Sequence, residues 1–415
     1  MPRQKIIVGL DVGSANIRVA VAQAGKEGNQ PLQILGVGQA KATGMRKGVV
    51  SDIDETAKNI KEAIQIAERT SGIKVESAVV SLGGEHLSCR TSRGAIAVSR
   101  ADGEISRDDA GRAIKQAGAI SLGANREVIQ VISKEFYVDS QPPVRDPFGM
   151  RGVRLEAEVL ILDGSMPFIK NVMKCVNEAD VDFEGLVPSP LAAARSVLDR
   201  RQKELGALVL DIGSSTTGFC VFEEGDVVDS CVLPVGSGHI TNDLAIGLRI
   251  GIDVAEKIKL EYGSVLPDEI NKRDTINLEK LGGEEGHISR QRVAEIIEAR
   301  VAEIFELAHK RLKHIDRAGL LPAGIVLVGG GAKLPGLVDL AKAKLKLPSQ
   351  VGFPVHFEGV VDQIDDPSFA TVLGLILSSD EQGEDIHGSR IGEFDISQLA
   401  KAVRKFKNWF KGFLP

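Results

Sequence analysis

The chain has 415 residues, 43% of them hydrophobic and 26% charged, with a formal net charge of -6. That length exceeds one simple core and points to two or more domains, and the composition is that of a soluble globular protein. The acidic balance gives no basis for a nucleic-acid partner, because phosphate binding needs a basic surface. Four cysteines, Cys89, Cys175, Cys220 and Cys231, are scattered with no CxxC or Cys/His spacing. This predicts reduced thiols in a cytosolic compartment, with neither a zinc site nor a disulfide framework. The N-terminal PRQK runs straight into a strand-like IIVGL, so no signal peptide is expected. No run of about 18 uncharged apolar residues exists, so no spanning helix is expected either.

In chain order, apolar strand-length runs fall at 6–10, 17–21, 32–37 and 75–81. Between the last two, a helical period covers 53–68, with Ser51 or Asp52 placed to cap it. Residues 84–162 are broken by Gly103, Pro142, Pro143, Pro147 and Gly149 and read as a small inserted unit. Helical stretches follow at 190–198, 253–262, 289–314 and 335–345, with strands at 208–212, 218–222 and 325–328. Such βα alternation predicts layered α/β domains. The stretch SSDEQGEDIHGSRIGEFD at 378–395 is polar, acidic and poor in core formers, and reads as a flexible linker.

Two hairpin-like segments share a pattern. IIVGLDVGSANIRVAV (6–21) and ALVLDIGSSTTGFCVF (207–222) each set Asp, then Gly two residues on, then small hydroxyl residues, between apolar runs. A turn glycine admits backbone N–H groups to an anion, and hydroxyls add donors. Aspartate at a strand end suits a hydrated magnesium ion. A third segment, GIVLVGGGAKLPGL (324–337), is a buried strand, three glycines and a helix start at Pro335. Each turn alone is a weak signal. In this order, each behind a strand, they predict a nucleotide clamped between two phosphate loops.

The order of these loops resembles the actin and sugar-kinase superfamily, and DVAEKIKLEYG at 253–263 is similar to its nucleoside-contacting helix. The resemblance implies that Asp11 and Asp211 organise Mg2+ through water. It assigns Gly13, Ser14, Asn16 and Arg18 to the first phosphate loop and Gly213, Ser214, Ser215 and Thr216 to the second. Glu256 and Lys259 would then contact the nucleoside of ATP, and Gly329, Gly330 and Gly331 would flank the adenosine. Segments 80–99, 126–139 and 146–162 resemble the extra subdomain of the FtsA cell-division actins. That family implies filaments, the tubulin-like ring protein FtsZ as partner, and other division proteins bound by the insertion. It also implies a place on the cytoplasmic side of the inner membrane, peripheral, at the division site.

The expected fold is thus α/β: an actin-like (ribonuclease H-like) two-domain fold with an FtsA-type inserted subdomain and a C-terminal amphipathic helix. Its first domain takes 1–83, 163–205 and 367–378, with 84–162 inserted. Its second takes 206–237 and 306–366, with an outer subdomain at 238–305 on which FtsZ would dock. A linker at 379–396 and a helix at 397–415 follow. In related bacterial actins a water-activating acid stands in the pattern E-P-x-A-A-A; the matching stretch here, LVPSPLAAAR (186–195), has Ser189 in its place. Serine is a poor base at neutral pH, so ATP binding with weak or undetectable hydrolysis is expected.

The segment KAVRKFKNWFKGFLP (401–415) holds five cations, no acid and the only tryptophan. On a helical wheel Leu399, Ala402, Val403, Phe406, Trp409, Phe410 and Phe413 share one face, with Lys401, Arg404, Lys405, Lys407 and Lys411 opposite or flanking. A core helix would carry such a stripe too, but not so purely cationic a polar face behind an acidic linker. The composition suits a helix lying at an anionic lipid surface, with Val403, Arg404, Lys405, Phe406, Trp409, Phe410 and Phe413 in contact. A pilus-assembly adaptor of the PilM type shares the core and the insertion, and is distinguished by usually lacking such a tail.

Overall fold

The computed structural model of the chain describes residues 5–25, 31–355 and 357–384. The segment 397–415 and the 385–396 part of the linker lie outside the described residues.

The first hairpin pairs Ile6–Val12 with Asn16–Gln23, in register Asp11 to Arg18 and Val12 to Ile17. Leu32–Lys41 adds antiparallel on one side. Ser77–Leu82 and then Asp182–Pro188 add parallel on the other. The second hairpin pairs Ala207–Ile212 with Thr217–Glu223, flanked by antiparallel Asp226–Leu233 and by parallel Gly324–Val328 and Ser349–Val351. Each sheet therefore has the order third, second, first, fourth, fifth; the first also gains an edge strand, Phe357–Gly359. One topology occurs twice, and the crossover helices fall in the same intervals. In the first domain these are Ile53–Ser71 and Met166–Glu178. In the second, Ser237–Leu248, Ile252–Tyr262 and Arg290–His314 fill the first interval and Leu337–Leu345 the second.

Asp52 is the cap of the first crossover helix, accepting from the Glu55 backbone N–H, and the helix presents Ile60, Ala63, Ile64 and Ala67 to the sheet. In the second domain Leu208, Leu210 and Phe219 of the sheet meet Ile297, Val301, Ile304 and Phe305 of the long helix, all buried.

Each half ends in a helix, Ser189–Val197 and Ala370–Glu384, and these two cross between the domains. A Cβ on Gly374 would stand 1.7 Å from the Ala192 carbonyl oxygen, so only glycine permits this approach. Ser196 Oγ donates to the Ala370 carbonyl at 2.7 Å, and Arg195 donates to Ser378 Oγ at 2.7 Å. The second helix runs on through Ser379–Glu384, six residues assigned to the linker by their polarity. Acidic and amide side chains are compatible with helix when a buried helix leads into them.

The insertion forms a three-stranded antiparallel sheet, Ser88–Ala97, Arg154–Ser165 and Arg126–Val138 in spatial order, backed by the helix Arg107–Gly118. Ala113, Ile114 and Ala117 of that helix pack on Leu155, Ala157 and Val159. On the sheet's other face Leu160 and Leu162 join Cys220, Phe222 and Val227 of the second domain in one buried cluster. Cys89 of the insertion donates to Asp229 Oδ1 at 2.9 Å, and the same buried carboxylate takes a two-pronged contact from Arg311 at 2.5 and 2.7 Å. The insertion, rooted in the first domain, thus also rests on the second.

Candidate functional site: a cleft between the two hairpins

The two hairpin turns face each other across a cleft of about 600 Å³. Its lining takes Asp11, Gly13, Ser14, Asn16 and Arg18 from the first hairpin and Asp211, Gly213, Ser214 and Thr216 from the second. Gly329, Gly330 and Gly331 close one wall, with Glu256 and Lys259 beside them. Ser215 lies outside the lining. The first turn is residues 13–15 and the second residues 213–216, and in the longer turn not every residue faces inward.

Neither turn is free-standing. Ser14 Oγ accepts from the Gly48 N–H at 3.1 Å. Gly213 O accepts from both the N–H (2.8 Å) and the hydroxyl (3.0 Å) of Ser237, so the helix Ser237–Leu248 starts against the second turn. Gly329 adopts φ +82, and a Cβ there would fall 2.3 Å from Asp211 Oδ1. The glycine loop is therefore packed directly on the carboxylate strand.

Both aspartates are held by hydroxyls that sequence reasoning missed. Ser81 Oγ donates to Asp11 Oδ1 at 2.8 Å, and Thr371 Oγ1 donates to Asp211 Oδ2 at 2.9 Å. Ser81 closes the apolar run 75–81 and Thr371 opens the last helix, so each had a local reading that concealed its role. Burial pushes both carboxyls above the ordinary 3.8, Asp211 to about 6, where the nearby Asp11 adds to the rise. Arg18 and the hydroxyl contacts pull the other way. Two desolvated carboxylates, one of them raised further by the other's charge, suit a hard divalent cation. Among the described residues no third His, Cys, Asp or Glu joins them, a donor set that leaves the remaining positions of a magnesium ion to water and phosphate.

Arg18 lies with its guanidinium carbon 5.5 Å from the Phe369 ring centroid, and its buried Nε has no hydrogen-bond partner among the described residues. A buried donor without an acceptor is costly, and a phosphate oxygen in the cleft would satisfy it. The carboxylates lining the cleft are Asp11, Asp211, Glu256 and Asp366. Asp366 is engaged by the Lys333 ammonium and the Ser368 N–H. At the start of the helix Ser189–Val197, Ser189 itself lines the cleft.

A family model described as cell division protein FtsA matches residues 208–374, and one described as the SHS2 domain inserted in FtsA matches residues 84–162. Cell division protein FtsA of Pseudomonas aeruginosa is 33% identical over 414 residues, covering 98% of both chains. That of Bacillus subtilis is 34% identical over 393 residues, covering 94% of this chain and 87% of its own. Among solved structures, the PilM–PilN type IV pilus biogenesis complex aligns with TM-score 0.65 and 18% identity, over 90% of this chain and 98% of that one. MreB5 of Spiroplasma citri bound to ADP aligns with TM-score 0.54 and 14% identity, over 92% of this chain and all of that one. At such identities these structures establish an actin-like fold and no more, so the pilus protein is the weaker reading. Shared sequence along nearly the whole length, with the insertion in place, shows that the chain belongs to the FtsA family of cell division proteins.

Proposed function

We propose that this division protein binds ATP with Mg2+ in the cleft, polymerises on the cytoplasmic face of the cell membrane, and tethers the FtsZ ring there through its C-terminal amphipathic segment. The observation that carries the reading is the pair of hydroxyl-held aspartates, Asp11 buried and Asp211 half-buried, each beside a glycine turn in one cleft. The glycine turns would present N–H groups to the phosphates, with Arg18 giving its unpartnered Nε to one of them. Magnesium would neutralise phosphate charge between Asp11 and Asp211. The loop 329–331 would accept the adenosine. Structures of MreB5 bound to ADP and to AMPPNP support nucleotide in a cleft of this fold.

Hydrolysis needs a group that deprotonates or orients water. Ser189 is a poor one, and the lining carboxylates are a pair raised by burial, a lysine-engaged cap and the residue beside Lys259. A phosphate-release assay is therefore expected to give turnover below about 1 per second, the low end for enzymes; sustained faster release would refute ligand-binding as the cleft's main task.

Among the described residues no helix is long and apolar enough to cross a membrane. Attachment would fall to 397–415, where Phe406, Trp409, Phe410 and Phe413 enter the headgroup zone and each cation adds about 1 kcal/mol near anionic lipid. Ordering the helix costs on the order of 1 kcal/mol per residue in backbone entropy, so one tail binds modestly and a filament of tails binds firmly. FtsZ would dock on the outer subdomain at 238–305, and other division proteins on the insertion.

The test is pelleting with anionic liposomes, with and without ATP and FtsZ. The full chain should carry FtsZ into the pellet. Deletion of 397–415, or Phe406→Glu or Trp409→Glu, should leave both proteins in the supernatant with ATP binding intact, whereas one Lys→Ala should weaken pelleting only slightly. Full pelleting of the truncated chain would overturn the tether.

A further inference from the structure

A second cavity, of about 510 Å³, opens beside the glycine loop 329–331. Lys333 and Asp366, joined as an ion pair, line both it and the nucleotide cleft. Its volume is that of pockets that enclose small apolar ligands, about 300–1,000 Å³. Leu334, Val338, Val351 and Phe353 give it an apolar lining, and Phe353 remains 43% exposed. The rim is acidic. Asp366 is taken by Lys333. Asp339, its side chain 68% exposed, lies 3.8 Å from Lys342, and the Asp365 carboxylate has no partner among the described residues. Such a surface fits an occupant that carries aromatic rings with cations and no acid.

The segment 401–415 has that composition, with five cations, no acid, and Phe406, Trp409, Phe410 and Phe413. It lies outside the described residues, but its attachment is within reach of the cavity. The wall Asp365–Pro367 leads into the helix Ala370–Glu384, which carries the chain about 22 Å away. Residues 385–396, fully extended, could span about 40 Å, enough to bring the tail back. A tether of that length holds its cargo at an effective concentration on the order of 1 mM, so a contact with a Kd of about 0.1 mM would be occupied about nine-tenths of the time.

From the match in charge, apolar character and reach we infer that, away from lipid, the aromatic face of 397–415 seats in this cavity of its own chain, with its cations on Asp339 and Asp365. The proposal rests on the lipid-surface reading of the tail and gives that tail a second, competing seat. Membrane attachment then requires release from the body. A protomer whose tail is free only about one-tenth of the time binds lipid about tenfold more weakly than its bare tail would.

Trp409 is the only tryptophan, so its fluorescence in lipid-free buffer tests the contact directly in the full chain. Emission should lie to the blue of the free peptide 397–415, with less quenching by acrylamide, and should be the same in dilute and concentrated protein. Two changes at the rim should return the emission to that of the peptide: Phe353→Ser, and Asp339→Lys combined with Asp365→Lys. Phe353→Ser leaves the charge unaltered and should also raise affinity for anionic liposomes about tenfold. Should Phe353→Ser melt well below the native chain, the paired exchange of exposed aspartates decides alone. Peptide-like emission from the native chain would overturn the proposal, as would blue emission that survives both changes, which would put the tail elsewhere on the body. Blue emission that grows with protein concentration would place the tail on a second copy and equally overturn it. Failure of the native chain and of Phe353→Ser alike to bind liposomes refutes the lipid reading, while the fluorescence still decides the cavity.

Discussion

Replacing Asp211 with Asn is expected to raise the melting temperature of the nucleotide-free protein while weakening its binding of Mg2+–ATP at least tenfold. The two effects share one cause. Burial and the neighbouring Asp11 lift the Asp211 pKa from an ordinary 3.8 to about 6. The folded state therefore holds the proton more tightly than the unfolded chain does. Below about pH 4 the carboxyl is protonated in both states and carries no penalty. Between about 4 and about 6 the unfolded chain ionises first, and stability falls as pH rises. Above about 6 the loss is complete, on the order of 3 kcal/mol, reduced by whatever solvation the open side of the cleft restores. An amide of the same shape has nothing to ionise and keeps that increment. The measurement is Tm against pH for both proteins without nucleotide, followed by calorimetry with Mg2+–ATP. The Asn variant should gain over the native chain above about pH 6 and show no gain near pH 4. A variant melting lower at neutral pH, or binding Mg2+–ATP as the native chain does, would show that the carboxylate is structural.

The second large effect is purely steric. Gly374→Val should lower stability by on the order of 3 kcal/mol or more, read as a fall in Tm of about 3 °C or more. The new Cβ would meet the Ala192 carbonyl oxygen at 1.7 Å and its carbon at 2.3 Å, and backbone atoms cannot swing aside as a side-chain tip can. The helices must part, disturbing the contacts Ser196 to Ala370 and Arg195 to Ser378 that join the two halves. Gly374→Ala should show most of the same loss. Native-like melting of Gly374→Val would mean the crossing is far more compliant than so close an approach implies.

What was legible in the sequence was the repeated unit. Asp-x-Gly between apolar runs occurs at 11–13 and at 211–213, and in the fold both stand at corresponding places of two sheets with one strand order. The helix 53–68 was legible because its period is clean and its cap sits before it. The helix Ser237–Leu248 was not: Gly238, Thr241, Asn242 and Gly247 are poor helix formers. It stands because its first turn is bonded to Gly213 in a distant hairpin, information that no local window contains. The helix Arg107–Gly118 was signalled by a capping box of Ser106 with Asp109, hidden by the shorter acid in place of the usual Glu or Gln. At the site, the glycines and aspartates were readable from spacing, whereas Ser81 and Thr371 were not. A hydroxyl in a strand or helix looks the same from the sequence whether it faces solvent or holds a carboxylate.

The way the insertion rests on both domains has a mechanical meaning. With only the crossing at Ala192 and Gly374, the two halves would be leaves on one pivot. Leu160 and Leu162 lodged beside Phe222 and Val227, with Cys89 on Asp229, supply a second bearing away from that pivot, as a brace does in a folding frame. A rotation of one half against the other must shear this brace or carry the insertion along with the second domain. Cys89 is therefore a built-in gauge: its rate of thiol labelling with and without nucleotide reports whether the frame flexes at the brace or moves as one piece.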